Sequence, residues 1–286
     1  RVAVSIFMAS LLAMAGPVLA ANDQVQRGPA PNWVVTSELM PVPEGAGGLI
    51  FVRRSDVLVH LDDQGQAQYL GYRIRILHPN ALQLGNFAIG WNPGAGTATV
   101  HVLRIHRDGE VIDLLDNASF EILRREDQLE AASLDGNLTA ILRIADLRVG
   151  DELEAGWTIR TNDPTLGGTV SGILLLAPDP PPGRLRLGLS WDQGQEPRLQ
   201  VTPDLAAIAE RGARAIILRF DNPPMLAPPN DAPPRYRWQR MLEYSDFSDW
   251  AAISRHFAPL YERAATLAGG SPLKAETRRV GAAHSG

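Results

Sequence analysis

The residue types most often used in catalysis are present in this chain, but they do not form a recognisable catalytic pattern. Cysteine is absent, which excludes a cysteine nucleophile and a cysteine-ligated metal within these 286 residues. No HExxH or HxH spacing joins any of the six histidines. They are His60, His78, His101, His106, His256 and His284. No GxSxG motif marks a serine nucleophile. The sequence therefore predicts no catalytic residue, no metal site and no cofactor.

Two groups of carboxylates are explained more simply as solvated residues than as catalytic or metal-binding ones. Glu152 and Glu154 share one face of a strand pattern, whereas an acid–base pair would have to face each other across a cleft of defined width. Asp56, Asp62 and Asp63 could offer oxygen ligands to calcium, but the EF-hand spacing is absent. We expect the two glutamates to meet water and the aspartates to belong to a solvated turn.

Trp91 is the one candidate binding residue. It lies in the sequence Gly90-Trp91-Asn92-Pro93-Gly94, which predicts a loop. An exposed loop tryptophan offers an apolar ring and a polar N–H, with which it could bind a sugar or a peptide. The alternative is that Trp91 covers the end of a sheet, as large aromatic residues usually do.

Short strands with a two-residue alternation are the elements that would position these side chains. The alternation is clearest in three runs, Leu70–Ile76, Leu153–Ile159 and Leu185–Trp191. This period indicates half-buried antiparallel strands. Applied strictly, it places His101 on the same face as Leu103 and Ile105. Many such strands separated by turns predict a mainly β fold, an antiparallel β-sandwich-like domain over residues 49–244.

The first twenty residues predict export. Arg1 is followed by an almost unbroken apolar run to Ala15, and small or apolar residues precede a cleavage point after Ala20. The run is shorter than the ~20 residues that a membrane span needs, so we favour a cleaved signal peptide over an uncleaved anchor. The mature protein is expected to be periplasmic or secreted, with no membrane partner.

Proline and glycine mark the segments that flank and interrupt the strands. Residues 21–48 predict a flexible tether with an added edge strand at Trp33–Thr36. Pro178–Pro182 and Pro223–Pro234 cannot belong to a central ladder, because proline lacks the N–H donor. We interpret both as stiff connectors; the alternative is a polyproline ligand for an aromatic groove.

Residues 245–286 change to a helical pattern. Apolar side chains recur at helical spacing from Trp250 to Leu267 and predict one apolar stripe. Asp246 or Ser248 is expected to cap this helix, and Pro259 to kink it or split it in two. The segment is predicted to be a helical linker, followed by the start of another domain.

This C-terminal stretch and its surroundings resemble a known family. The resemblance rests on Asn222-Pro223-Pro224, Pro233-Pro234, Ser245-Asp246-Phe247, Ser248-Asp249-Trp250 and Phe257-Ala258-Pro259-Leu260. Together they resemble the junction in exported bacterial proteins where an uncharacterised β-rich domain precedes a transglutaminase-like, papain-related cysteine core. The Asp108-Gly109 hairpin and the turn at Val149-Gly150-Asp151 fit the same family. The similarity covers roughly residues 56–267.

The resemblance implies a role without a catalytic residue. The family has a Cys–His–Asp triad whose cysteine lies in a Gly-Asp-Cys motif downstream of this helix, and no position here matches it. The chain would then be a non-catalytic accessory domain that positions or shields a core outside this sequence, with that core as its partner. The first residue is not methionine and the last helix is unfinished, so we expect a fragment; the alternative is a protein that has lost its core.

Charge and composition reduce the number of function classes that fit the sequence. The formal net charge is −5 and no Lys/Arg block stands out, so the sequence has no electrostatic footprint for a nucleic acid. A free-standing periplasmic module that binds peptide or glycan is the main alternative. A hydrolase acting through Asp, Glu or His groups is the third hypothesis, and no motif supports it.

Overall fold

A computed structural model describes residues 22–124, 136–176, 180–224 and 240–284. The predicted signal peptide at 1–20 lies outside these residues. So do most of Pro223–Pro234 and part of Pro178–Pro182, the two proline-rich connectors.

Strands make up most of the described chain. They are β1 Gln26–Arg27, β2 Ile50–Asp62, β3 Gly65–Ile76, β4 Asn86–Trp91, β5 Gly96–Arg107, β6 Glu110–Asp113, β7 Glu121–Arg124, β8 Leu138–Arg143, β9 Glu152–Thr161, β10 Ser171–Leu175, β11 Arg184–Trp191, β12 Arg198–Val201, β13 Glu210–Gly212, β14 Ala215–Asp221 and β15 Met241–Ser245. The α-helices are α1 Pro203–Ala206, α2 Trp250–Ala265 and α3 Leu273–His284. Short 3-10 helices cover Pro79–Gly85 and Pro164–Leu166. The predicted mainly β fold with a short helical C-terminal segment is confirmed.

One large sheet organises the molecule. Its strand order is β1-β5-β9-β3-β2-β11-β14-β13, and β6 pairs with β5 outside this path. β1 runs parallel to β5, and β2 runs parallel to β11, while the other neighbours are antiparallel. The large sheet is therefore mixed rather than wholly antiparallel. The parallel pair β2–β11 joins strands that are far apart in the chain, a pairing that local alternation does not reveal.

Two small sheets cover the same face of the large one. Their strand orders are β4-β8-β7 and β10-β15-β12. In the large sheet Leu187 pairs with Val57, Val57 with Leu70, and Leu70 with Trp157, and paired residues point to one face. We call this side the packed face. It carries two buried clusters, one including Ile76, Val100, Leu103 and Leu153, the other including Leu189, Ile216, Leu218 and Leu242.

The opposite side of the large sheet is its polar face. Arg186 pairs with Asp56 and Ser190 pairs with His60, while Arg73 pairs with both Arg54 and Glu154. These alternate positions carry charged and hydrogen-bonding side chains instead of the aliphatic ones of the packed face.

A β-bulge moves one histidine to the polar face. The register of β5 against β9 shifts between Val100 and Val102, so that Val100 and Leu103 both point into the core. His101 therefore leaves the face of Leu103, and the predicted placement is wrong. Its Nδ1 lies 2.9 Å from the Gly28 carbonyl and its Nε2 lies 2.8 Å from the Thr158 hydroxyl.

The segment before β2 lies across the polar face. The predicted edge strand at Trp33–Thr36 is wrong; the strand that forms here is β1, parallel to β5. Further along, the Ser37 N–H and hydroxyl both donate to Asp56 Oδ1, at 3.0 and 2.6 Å, and Arg186 donates to the Val35 carbonyl. The segment predicted as a tether is thus packed against the sheet rather than extending freely from it.

The C-terminal helices begin and end at other residues than predicted. Asp249, not Asp246 or Ser248, caps α2 by accepting the Ala252 N–H at 2.7 Å. Asp246 instead accepts the Val170 N–H. Pro259 lies inside α2, which continues through it to Ala265, so the predicted split is wrong. Among the described residues, no helix is both long enough and apolar enough to cross a bilayer.

Candidate functional site

Trp91 lies in the core rather than in a loop. It is the last residue of β4, its side chain is 4% exposed, and its Nε1 donates to the Asn22 carbonyl at 2.7 Å. The prediction of a ligand contact rested on an exposed loop position. Because the ring is buried and its N–H already donates a hydrogen bond, Trp91 is not available for the predicted ligand contact.

Glu152 is enclosed by arginines instead of water, so its predicted solvation is wrong. It is 7% exposed, Arg53 donates to both of its oxygens at 2.8 and 2.9 Å, and Arg73 Nε donates at 2.6 Å. A register shift between Val52 and Arg54 disturbs the alternation of β2 at Arg53. Burial opposes ionisation of Glu152, but the hydrogen bonds and charges of Arg53 and Arg73 outweigh it, so its pKa is lowered.

Glu154 is also held by an arginine and a histidine. Arg54 Nη2 lies 2.8 Å from one of its oxygens and His106 Nε2 lies 2.7 Å from the other. Asp62, predicted to be a solvated turn residue, receives two hydrogen bonds of 2.8 Å from Arg160. Since each of these carboxylates already has a cationic partner, this half of the polar face offers no free acid–base pair.

Asp56 is the most deeply buried charged group among the described residues. It is 0% exposed, and its Oδ2 has no hydrogen-bond partner there, with Arg54 Nε 3.8 Å away. Burial raises the pKa of Asp56 above its ordinary value, although the two bonds from Ser37 and the nearby arginines oppose this effect. The carboxylate of Asp56 therefore holds Ser37 in place, although removing this carboxylate from water is unfavourable.

A pocket of about 480 Å³ lies on the polar face between the N-terminal segment, β11 and the β13–β14 hairpin. We call it the Trp33 pocket. Apolar side chains make much of its wall, namely Trp33, Val35, Leu58, Ala215 and Ile217. Polar side chains join them at His60, Arg186, Ser190, Asp192 and Arg214. A mainly apolar cavity of this size with a few converging polar groups is typical of small-molecule sites.

Ser190, His60 and Asp192 lie side by side in this pocket, and Ser190 is hydrogen-bonded to His60. Ser190 Oγ lies 2.9 Å from His60 Nδ1, and His60 Nε2 lies 3.5 Å from Asp192 Oδ1. Trp33 stacks on the His60 ring, with centroids 5.2 Å apart and 14° between planes. These are the residue types of a serine-hydrolase triad.

The two backbone N–H groups that follow Ser190 are already hydrogen-bonded. Acyl transfer needs N–H donors aimed at the developing oxyanion. The N–H of Trp191 donates to the Arg214 carbonyl at 3.1 Å, and that of Asp192 to the Leu61 carbonyl at 2.9 Å. Both groups next to Ser190 are thus engaged. The sequence carried no signal for this cluster, because His60 and Ser190 meet only through the parallel pairing of β2 with β11.

A second pocket, about 590 Å³, lies on the other side of Arg186 and is lined by Thr36, Ser37, Glu38, Arg184, Arg219, Phe220 and Asp221. We call it the Arg219 pocket. Arg184 pairs with Asp221 at 2.8 Å, and Arg219 pairs with Glu210. Arg186 lines both pockets and has no ion-pair partner among the described carboxylates. Within the described ranges, no cluster of three His, Asp or Glu residues is placed to hold a metal ion.

The helical segment presents an apolar surface with few contacts. Trp250 is 82% exposed and Tyr261 is 72% exposed, although both are large apolar residues of α2. The helix is attached mainly near His256, whose Nε2 donates to the Thr165 carbonyl at 2.7 Å and whose ring meets Phe247. Ile253, Phe257 and Leu260 of the same predicted stripe are half-buried.

Comparison with solved structures shows the fold alone. The chain is similar to a protein from Parabacteroides distasonis described as a "putative protease", with a TM-score of 0.61 and 16% identity, over 75% of this chain. The match spans only 43% of that protein's length. A leukotriene A4 hydrolase from Saccharomyces cerevisiae gives a TM-score of 0.33 and 11% identity, over 70% of this chain and 29% of that one.

Sequence comparison with protein families is more specific. No curated protein matches the chain. Residues 62–217 match the family described as a domain of unknown function with a solved structure, DUF3857, and they contain all of β3 to β13. Because the match covers more than half of the chain, this protein belongs to the DUF3857 family.

Proposed function

We propose that the chain is a non-catalytic accessory β-domain of an exported bacterial transglutaminase-like protein. Its role is to position or shield a cysteine-dependent core that follows it in the same polypeptide. The observation that carries the proposal is the exposed apolar surface of α2, at Trp250 and Tyr261. A helix with such a surface is stabilised when another domain covers it.

The matched solved structure supports an arrangement within a longer protein. This fold accounts for 43% of the length of the P. distasonis protein, so there it occurs together with other chain segments. The polar face supports a non-catalytic role, because Glu152 and Glu154 are neutralised by Arg53, Arg73 and Arg54. Ser190 likewise lacks free N–H donors at its two following residues.

Export is part of the same proposal. The apolar run up to Ala15 and the small residues before Ala21 support cleavage after Ala20 and a periplasmic or secreted location. N-terminal sequencing of the protein recovered from the producing cell's envelope or medium tests this directly. An intact N-terminus on cytoplasmic material would contradict it.

Hydrogen exchange on α2 tests the accessory role. The full-length native polypeptide and the chain ending at Gly286 are compared under the same conditions. We expect the amides of Trp250–Ala265 to exchange at least tenfold more slowly in the full-length protein, because the core covers the helix. Trp250→Ala should reduce this protection, whereas the matched exposed substitution Arg255→Ala on the same helix should leave it unchanged.

Two results would contradict the proposal. One is equal exchange of α2 in both proteins. The other is a native coding sequence beyond Gly286 without a Gly-Asp-Cys motif followed by His and Asp codons. As a complementary measurement, the mature chain alone should not turn over peptide, ester or amine-acceptor substrates.

A further inference from the structure

We infer that the Trp33 pocket is a binding site for the C-terminal residue of a peptide, with Arg186 receiving the carboxylate. This inference is independent of the accessory role, since it concerns the polar face and not α2. The site differs from the predicted one at Trp91, which is buried in the core.

Arg186 provides the anchor for an anion. Its Nη1 donates to the Val35 carbonyl at 2.5 Å, while its Nε is buried and has no hydrogen-bond partner among the described residues. Arg184 and Arg219 on the neighbouring pocket wall are both neutralised by carboxylates, but Arg186 is not. An unpaired, partly desolvated guanidinium gains more from a carboxylate than a solvated one, and it can bind both oxygens at once.

The electrostatics of Arg186 favour an incoming anion. Burial lowers the pKa of its guanidinium, and the charge of Arg219 lowers it further. The negative charges of Asp56 and Glu210 oppose this shift without cancelling it, so a further negative group in the pocket would stabilise the cation. Asp56 is the residue that pairs with Arg186 between β2 and β11. Its carboxylate already accepts hydrogen bonds from Ser37, and burial disfavours its charged form.

Arg214 supplies a second cation at the opposite wall. It lies in the β13–β14 turn, is exposed, and forms no ion pair with a described carboxylate. Gly188 lies between Arg186 and Ser190 on the same strand face, and the Leu58 side chain packs over it. Leu58 therefore forms an apolar floor between Arg186 and Ser190.

The other residues that line the pocket favour the C-terminal residue of a peptide over a small inorganic ion. Trp33, Leu58 and Ile217 offer an apolar wall for a side chain. Ser190 can accept an amide N–H in either histidine tautomer. If its hydroxyl donates to His60 Nδ1, two lone pairs remain; if it donates to the Val59 carbonyl, one remains. Carboxylate, apolar side chain and amide N–H together describe a C-terminal residue.

An NMR titration with a matched pair of probes tests the inference on the mature chain. N-acetyl-leucine carries all three features, and N-acetyl-leucinamide lacks only the carboxylate. We expect the acid to bind with a Kd at least tenfold lower than the amide, because the neutral amide offers the guanidinium a single oxygen and no negative charge. Inorganic phosphate is the third arm and should bind at least tenfold more weakly than the acid.

Charge-matched variants locate the site. Arg186→Gln should weaken binding of the acid at least tenfold, and Arg214→Gln should weaken it severalfold. Because Arg214 is exposed, its variant tests the site even if Arg186→Gln fails to fold. Arg104→Gln removes an arginine that pairs with Asp113 at the far end of the sheet and should leave binding unchanged.

Several results would overturn the inference. They are no binding of the acid, equal binding of acid and amide, phosphate binding as tightly as the acid, or the same loss in Arg104→Gln as in the pocket variants. The first excludes a site for this class. Equal binding of acid and amide would show that the carboxylate is not recognised. Tight binding of phosphate would indicate a site for inorganic oxyanions. An equal loss in Arg104→Gln would show that the effect depends on net charge.

Discussion

The two faces of the large sheet are built from the same strands but are stabilised in different ways. On the packed face, aliphatic side chains such as Leu187 and Leu218 are buried under two small sheets. On the polar face, Glu152 and Asp56 are nearly as inaccessible, yet charged partners or the Ser37 segment enclose them. Apolar burial is non-directional, whereas burial of a charge needs partners at defined positions.

This contrast indicates where function can arise. On the packed face, the described side chains of the two buried clusters are mainly apolar and covered, so they offer a ligand little hydrogen bonding. The polar face contains Arg186 Nε and Asp56 Oδ2, buried atoms without hydrogen-bond partners among the described residues, next to the Trp33 and Arg219 pockets. Such incompletely satisfied groups are where binding sites occur in otherwise closed structures.

Replacing neighbours on opposite faces of β14 is expected to give the largest difference. Leu218 is 0% exposed in the packed core, while Ile217 is a half-buried wall of the Trp33 pocket. Leu218→Ala should lower the free energy of unfolding by about 2–5 kcal/mol, since it leaves a cavity. Ile217→Ala should cost about 1 kcal/mol, because less of its surface is buried. Urea unfolding measures both, and equal losses would contradict the distinction between the faces.

Glu152→Gln should give the largest loss on the polar face. The substitution removes the charge that Arg53 and Arg73 share, and hydrogen bonds to charged groups contribute roughly 1.5–3 kcal/mol. The lowered pKa of Glu152 implies stability that is present above its unfolded value of 4.5 and lost as pH falls through the folded value. Urea unfolding between pH 2 and 7 should show this acid loss in the wild type but much less in Glu152→Gln.

Arg75→Gln is the matched control for Glu152. Arg75 Nη1 lies 3.8 Å from Glu152 and its side chain is 39% exposed, so its removal should cost less than about 1 kcal/mol. A loss as large as that of Glu152→Gln would show that net charge, not the close arginine contacts, stabilises this region.

Asp56 should have the opposite pH dependence. Its folded pKa is raised, so its contribution to stability is present in full below the unfolded value of 3.8 and is lost as pH rises through the folded value. Asp56→Asn should therefore raise the Tm at pH 7, and the difference from wild type should close near pH 3. Asp63→Asn in the β2–β3 turn is the control and should show no such trend. A lower Tm of Asp56→Asn at pH 7 would mean that the Ser37 bonds to the charged carboxylate outweigh its burial.

The smallest expected signal is covalent modification of Ser190. Because the N–H groups of Trp191 and Asp192 are engaged, a fluorophosphonate probe should not label Ser190 above background. Intact-mass spectrometry, with a known serine hydrolase in the same reaction, measures this. Stoichiometric labelling that disappears in Ser190→Ala and His60→Gln would make the polar face catalytic and contradict the proposed function.

Local alternation was sufficient to predict several strands of the large sheet and the apolar residues on their packed face. Leu70–Ile76, Leu153–Ile159 and Leu185–Trp191 all form strands whose apolar residues point to one face. The Asp108-Gly109 turn also forms between β5 and β6, with positive φ at both residues. These features depend on neighbours within a few residues, so a single sequence contains them.

The polar face could not be predicted in the same way. The predictions of a solvated Glu152 and of the face of His101 were wrong because an arginine cluster and a bulge decide them. In the core, the loop position of Trp91 was wrong because β4 pairs with β8, which is distant in sequence. Each of these partners is distant in sequence or changes the register. The Ser190–His60 contact and the Arg186–Asp56 proximity likewise exist only because β2 and β11 run side by side.

The sequence by itself determined the alternating strand pattern, many of the buried aliphatic positions and the absence of cysteine within these 286 residues. Tertiary structure alone decided which charges are enclosed, where the two pockets lie and which arginine remains unpaired. The physical reason is the separation in sequence of the residues involved. Hydrophobic alternation is a property of neighbouring residues, whereas these hydrogen bonds and ion pairs depend on the pairing of strands that are far apart in the chain.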